Sequence, residues 1–204
     1  AGVQLGRHSV PAVACGINYA PEDIAQAVDT WHVDSVAFDM VMMISDPAVI
    51  KGGEFQVFQG TKQEGQSLLG IRGEEGRDSE FPAERVTTVA FPDAGYGFLQ
   101  QGNMIFHRAC RLLEKAERVT LIPSFEVLPA SSRDATNSIN MLGWTDPGLE
   151  AELARREIWR AAARLNALLD SISIADDRGT LHRLIGDALE PLNSLRASLK
   201  EPRS

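Results

Sequence analysis

Short apolar runs with a two-residue alternation fill the chain as far as Pro129, and longer stretches with a helical period follow it. Val10 to Ile17 is apolar but broken by Pro11 and Gly16, which predicts a first strand. Pro21-Glu22-Asp23 predicts the start of a short helix running to about Thr30, with acidic residues in its first turn. Val33 to Ile44 is rich in Val, Phe and Met and predicts a strand pair or one long bent strand, ended by Asp46-Pro47. After Gly52-Gly53, Phe55 and Val57 alternate with polar neighbours in Glu54 to Phe58, so a half-buried strand is expected. Gly60 to Glu84 is polar and carries Gly65, Gly70, Gly73 and Gly76; its length predicts a functional or mobile loop. Arg85 to Phe91 is strand-like, and Tyr96 to Gln100 and Asn103 to Ala109 flank a turn at Gln101-Gly102. Arg118 to Val127 predicts another strand, interrupted at Pro123.

Beyond Pro129 the texture changes. Ser131 to Asn140 reads as a polar linker. Asp146-Pro147-Gly148 predicts a helix start with Pro in the first turn, and the helix runs to about Ser171 on Leu149, Leu153, Ile158, Ala162, Leu165 and Leu169. A second helix is expected from about Thr180 to Leu199. Its stripe of Leu181, Leu184, Ile185, Leu189, Leu192 and Leu195 needs burial, either within the chain or against a second copy in a homodimer. Strands first and helices after, without repeats, predict a mainly β chain. Residues 1–130 would form a β barrel or sandwich, and residues 131–204 a helical extension packed on it.

Bulk properties narrow the partners. A chain of 204 residues suits one full core with a helical appendage. The formal charge of −8 repels phosphate backbones, and no basic patch offsets it, so nucleic acid is not an expected partner. No apolar run is long enough to span a membrane and no signal peptide opens the chain. Cys15 and Cys110 have neither metal-finger spacing nor the number needed for a disulfide framework, which points to a reducing cytoplasm. The first residue is Ala and the chain begins abruptly, so an N-terminal region is expected to be missing or cleaved.

The chemistry concentrates in a few side chains. In Trp31-His32-Val33-Asp34, residues two apart on a strand face the same side, so His32 and Asp34 point together. An imidazole nitrogen and a carboxylate oxygen suit Fe(II), and three protein ligands on one face leave positions open for oxygen chemistry. His107, after Asn103-Met104-Ile105-Phe106, is the best third ligand, because His8 lies in an N-terminal Gly- and Arg-bearing segment and His182 on the surface of the last helix. Arg118 follows eleven residues past His107, and it shares a strand face with Thr120. A guanidinium fork binds a carboxylate through two parallel hydrogen bonds, and the Thr120 hydroxyl can add another. The pair reads as an anchor for the distal carboxylate of a dicarboxylic co-substrate. Each histidine taken alone would be read as structural; the joint pattern favours a metal site.

Over roughly residues 15 to 128 the chain resembles the Fe(II)/2-oxoglutarate-dependent dioxygenases. The resemblance rests on Trp31-His32-Val33-Asp34, on Gly52-Gly53-Glu54 before a strand, on Gly102-Asn103 leading to His107, and on Arg118-Val119-Thr120. It implies a double-stranded β-helix (jelly roll), with His32, Asp34 and His107 as iron ligands, Arg118 as the 2-oxoglutarate anchor and Thr120 as its hydroxyl partner. Met40, Met42 and Gln56 lie on candidate strands without an assigned contact to the co-substrate.

Halogenating relatives replace the carboxylate ligand with a small residue, so Asp34 favours hydroxylation, desaturation or cyclisation. The implied reaction consumes O2 and converts 2-oxoglutarate to succinate while oxidising a small molecule, an amino acid or a secondary metabolite. In the Gly60 to Glu84 segment, read as a lid or a solvated loop, Arg72, Arg77 and Arg85 can meet an acidic substrate group. Trp31 either walls the pocket or belongs to the core. Two other readings stay open: an iron oxygenase or oxidase with the same triad that does not use 2-oxoglutarate, and a non-catalytic cupin-like binding protein.

Overall fold

A computed structural model of the chain describes residues 2–73, 75–76 and 80–200. In chain order the elements are β1 (Gln4–Arg7), β2 (Cys15–Tyr19), β3 (Ala27–His32), β4 (Phe38–Met43), β5 (Phe55–Phe58), α1 (Lys62–Leu69), β6 (Glu75–Gly76), β7 (Val86–Val89), β8 (Gly97–Gln100), β9 (His107–Arg111), β10 (Val119–Leu128), α2 (Leu149–Ser171) and α3 (Arg178–Ser198). One sheet has the order β1-β10-β4-β8, with β2 also paired to β10; the other has the order β6-β3-β9-β5-β7. Every pairing is antiparallel. The class is mixed rather than mainly β: the chain is about 32% helical and 26% strand.

The long strand β10 organises the first sheet. Along one edge it pairs with β2 over Val119 to Pro123 and with β1 over Phe125 to Leu128; along the other it pairs with β4. Pro123 has no N–H to give. It sits where the ladder changes partner: the Ser124 N–H donates to Ala14 O and the Ser124 carbonyl accepts from His8 N–H, both at 3.0 Å. The strand therefore runs through Pro123 instead of breaking there.

Three expected elements differ. No helix forms over residues 21–30. The Asp23 side chain accepts from Ala25 N–H and its carbonyl from Gln26 N–H, which closes a turn, and Ala27 then enters the sheet opposite Arg111. Tertiary pairing overrides the local helix signal. Residues 60–84 are not all loop: α1 is closed at its start by a capping box between Thr61 and Glu64 and at its end by Gly70 in the left-handed conformation, φ 66°. Asn103 to Phe106 is turn rather than strand, and the strand starts only at His107.

The C-terminal helices share a core with the N-terminal segment. Val10, Val13 and Val36 pack with Met141, Leu149, Leu153 and Leu195. Beneath them lies a buried ionic hub. Arg156 of α2 pairs with Glu126 of β10 at 3.0 Å and with Asp134 at 2.7 Å, and Glu157 sits beside it. Arg160 donates to the carbonyls of Val127 and Ser132. The stretch read as a linker is thus pinned: Asp134 accepts from Val127 N–H, Ala135 O from the Asn103 amide, and Asn137 N–H donates to Ser35 O. Of the apolar stripe on α3, Leu195 is buried, Leu181, Leu184, Leu189 and Leu192 are half-buried, and Ile185 is exposed. Among the described residues no helix is long and apolar enough to cross a membrane.

Candidate metal centre

Strand β3 carries one irregularity that decides the site. Asp29 pairs with Ala109 and His32 with His107, so three steps on β3 answer two on β9. The extra residue is a bulge, and it re-aims the side chains that follow. Trp31 turns to the outer face, buried among Val33, Phe58, Leu69, Phe81 and Phe106 and capped by the Arg108 guanidinium 4.6 Å from its ring. It is core and does not wall the metal cavity. His32 turns inward opposite His107. Beyond His32 the chain leaves the sheet, so Asp34 is not on the same strand face as expected. It lies in the irregular stretch just beyond the strand, held by its N–H to Gly102 O at 2.8 Å.

The three side chains nonetheless converge. Ligand atoms of His32, Asp34 and His107 all lie within 4.8 Å of one another. Asp34 Oδ1 is 3.5 Å from His32 Nε2, and Asp34 Oδ2 is 3.2 Å from His107 Nε2. Each ring has its other nitrogen occupied: His32 Nδ1 meets Thr30 O at 2.7 Å and His107 Nδ1 meets Ile105 O at 2.9 Å. A carbonyl only accepts, so each Nδ1 carries the proton, and a lone pair on each Nε2 can be presented next to Asp34. Backbone carbonyls that fix the tautomer in this way are what metal-binding histidines need. The donor set of two imidazoles and a carboxylate therefore fits a divalent transition metal such as Fe(II).

Electrostatics agree with the geometry. Burial alone would lower the His32 pKa, but the Asp34 and Asp29 carboxylates beside it push it up to about 9. Burial alone would raise Asp34, and the His107 and His32 imidazoles hold it well below the usual carboxylate range. A metal entering here displaces a proton from His32. Behind Asp34 stands a second carboxyl, Asp39 of β4, fully buried and pushed up to about 9 by burial and by the Asp34 charge. Gly102 closes over both: a Cβ there would collide with Asp34 Oδ2 and Asp39 Oδ2, so glycine is the residue that lets the two carboxyls and the backbone meet.

Arg118 and Thr120 line the same small cavity as His32 and His107, together with Asn18, Val41, Phe55 and Ile122. Residues of both sheets meet in its wall. Arg118 is 2% exposed, and its Nε donates to Gly53 O at 2.9 Å. Gly53 has φ 69°, and a Cβ on it would stand 2.8 Å from Arg118 Cδ; this is the structural use of the Gly52-Gly53 pair. Arg118 Nη1 and Nη2 are buried and make no hydrogen bond. A buried guanidinium with both terminal nitrogens idle has the donors to hold a carboxylate.

Other expected positions fall elsewhere. Met40 and Met42 alternate with the cavity-lining Val41, so they face the outside of their sheet. Gln56 bonds Arg108 and Thr88 and does not itself line the cavity. Arg85 stacks on the Phe58 ring and donates to Gln59 O, Arg72 is exposed, and Arg77 lies outside the described residues. His8 is buried and His182 exposed. Sequence reasoning missed Gln100, Asp39 and Asn18. Only a polar residue amid the apolar runs of β4 and β8 signalled the first two. Comparison with protein-family models and with curated protein sequences gives no match for this chain.

Proposed function

We propose that the chain is a non-haem Fe(II)/2-oxoglutarate-dependent dioxygenase acting on a small molecule, which it hydroxylates, desaturates or cyclises. The observation that carries this reading is Arg118: a buried guanidinium with both terminal nitrogens idle, in the wall of the cavity that also holds two imidazoles of the candidate triad. A metal site without a co-substrate gives no reason to bury an unpaired cation, which costs several kcal/mol on the order-of-magnitude scale of ion desolvation.

His32, Asp34 and His107 would hold the iron. Arg118 would pair with the distal carboxylate of 2-oxoglutarate, with the Thr120 hydroxyl beside it; Thr120 is 1% exposed and lines the same cavity. With both bound, the metal supplies the oxygen chemistry that couples decarboxylation of 2-oxoglutarate to substrate oxidation. The chain's share is to orient the co-substrate, keep water out between the two sheets and hold the ligands. Asp34 supplies the carboxylate ligand that a halogenating site would lack.

Topology supports a double-stranded β-helix. The pairs β2/β10, β3/β9, β4/β8 and β5/β7 are successive rungs of one antiparallel ribbon, closed by the β5 to β7 connection. Successive rungs fall alternately in the two sheets. That is the path of a ribbon wound into a barrel.

Anaerobic titration with Fe(II) and 2-oxoglutarate tests the reading. A metal-to-ligand charge-transfer band is expected in the parent. Arg118→Ala is expected to weaken 2-oxoglutarate binding by about 100-fold, in the range for truncating one partner of a buried charge pair. His107→Ala is expected to lose the band. A parent protein that binds Fe(II) but shows neither the band nor succinate formation would refute the assignment.

A further inference from the structure

Gln100 of β8 and Asp39 of β4 stand opposite each other in register, 3% and 0% exposed. The Gln100 amide nitrogen is 2.9 Å from Asp39 Oδ1 and 3.4 Å from Asp34 Oδ2. It also lies 3.4 Å and 3.3 Å from the two ring nitrogens of His107. Near-equal distances to both nitrogens put the amide over the face of the ring, because a donor in the ring plane would approach one nitrogen only. His107 thus keeps Nδ1 for Ile105 and Nε2 for the metal side. Gln100 touches two of the three candidate ligands, and it does so from the sheet that carries neither histidine.

Gln100 and Asp39 are not a self-sufficient core pair. Gln100 Oε1 is buried without a hydrogen-bond partner. Leaving such an atom unpaired costs about 1–3 kcal/mol, so packing alone gives no reason to place an amide here. What the arrangement does provide is a donor on Asp34 and a lid on His107. Gly102 seals the other side of Asp34 and lets Asp39 approach it.

We propose that Gln100 and Asp39 are positioning residues: Asp39 orients the Gln100 amide, and that amide fixes the Asp34 carboxylate and the His107 ring relative to each other. This rests on the metal-centre reading above. The centre then depends on both sheets: β3 and β9 bring the imidazoles, and β4 and β8 brace the carboxylate. Partners of this kind govern affinity because a ligand held in one orientation loses no freedom when metal binds.

Co(II), a visible-spectrum probe that binds imidazole and carboxylate ligands, tests this. Gln100→Met keeps the volume and removes the amide; Asp39→Leu removes the acceptor that aims it. Each is expected to weaken Co(II) binding by about 10- to 100-fold and to change the Co(II) visible bands, with the thermal midpoint of the metal-free protein unchanged or raised. If only one variant folds, judged by circular dichroism, that variant carries the test. Parent-like affinity and spectrum in the folded variants, while His107→Ala abolishes binding, would overturn the brace and leave the metal centre standing. Parent-like binding in His32→Ala and His107→Ala as well would overturn the metal centre itself.

Discussion

His8 shows what one buried side chain imposes on the molecule. Its Nδ1 faces Val10 N–H at 3.3 Å, and its Nε2 is buried without a partner. Burial, reinforced by the Arg156 charge, lowers its pKa from 6.5 to about 4. Between those values the unfolded chain binds the proton and the folded chain does not. Stability is therefore fully present above pH 6.5 and is lost as pH falls towards 4. The loss is on the order of 3 kcal/mol if the whole shift is expressed. His8→Asn removes the titrating group, so its unfolding free energy is expected to fall less between pH 7 and pH 5 than that of the parent in urea titrations. Parallel pH profiles would show that His8 does not set acid sensitivity. At this same scale the candidate residues that the fold brings together were legible. His32, Asp34, His107, Arg118 and Thr120 stand out because metal and carboxylate binding require those residue types. Gln100 and Asp39 were not legible, since their meaning lies in a contact across 61 positions of chain.

Elements were read with mixed success, and the misses have physical causes. Pro21-Glu22-Asp23 carries a true turn signal, but only a few residues separate it from a strand that β9 captures, leaving no length for a helix. The bulge in β3 leaves no trace in residue types, because it comes from matching β3 to β9. Without it, the two-residue alternation would have put His32 on the face opposite Asp29. The α1 helix is a different kind of miss: Thr61-Lys62-Gln63-Glu64 spells its capping box outright. The Thr61 side chain accepts from Glu64 N–H at 3.2 Å, and the Glu64 carboxylate accepts from Thr61 N–H at 2.8 Å. Thr61→Ala is expected to cost about 1 kcal/mol. Faster amide exchange confined to residues 62–69 would register it, with no change around His32, Asp34 and His107. Uniform exchange across the chain would mean that α1 is held by Phe81 and Phe106 packing against Leu69 and Gly65 and not by its cap.

At the scale of the molecule, the order of strands then helices was readable from periodicity, but not the way the two parts lock. Arg156 and Glu126 are each almost fully buried, and charged residues of that kind read as surface in any linear scan. Arg156→Ala leaves Glu126, Asp134 and Glu157 without their shared cation, and the expected cost is about 3–5 kcal/mol. A denaturant midpoint shifted by less than 1 kcal/mol equivalent would mean that water reaches the hub and replaces the guanidinium.

Strand β10 carries Thr120 toward one end and Glu126 toward the other, so the wall of the small cavity and the helix anchorage are two stations on a single rod of backbone. Melting cannot then proceed in stages that spare one of them. A partly unfolded species with its helical hairpin adrift and an intact cavity is not expected, and calorimetry should register one transition, with cavity and hairpin lost at the same temperature.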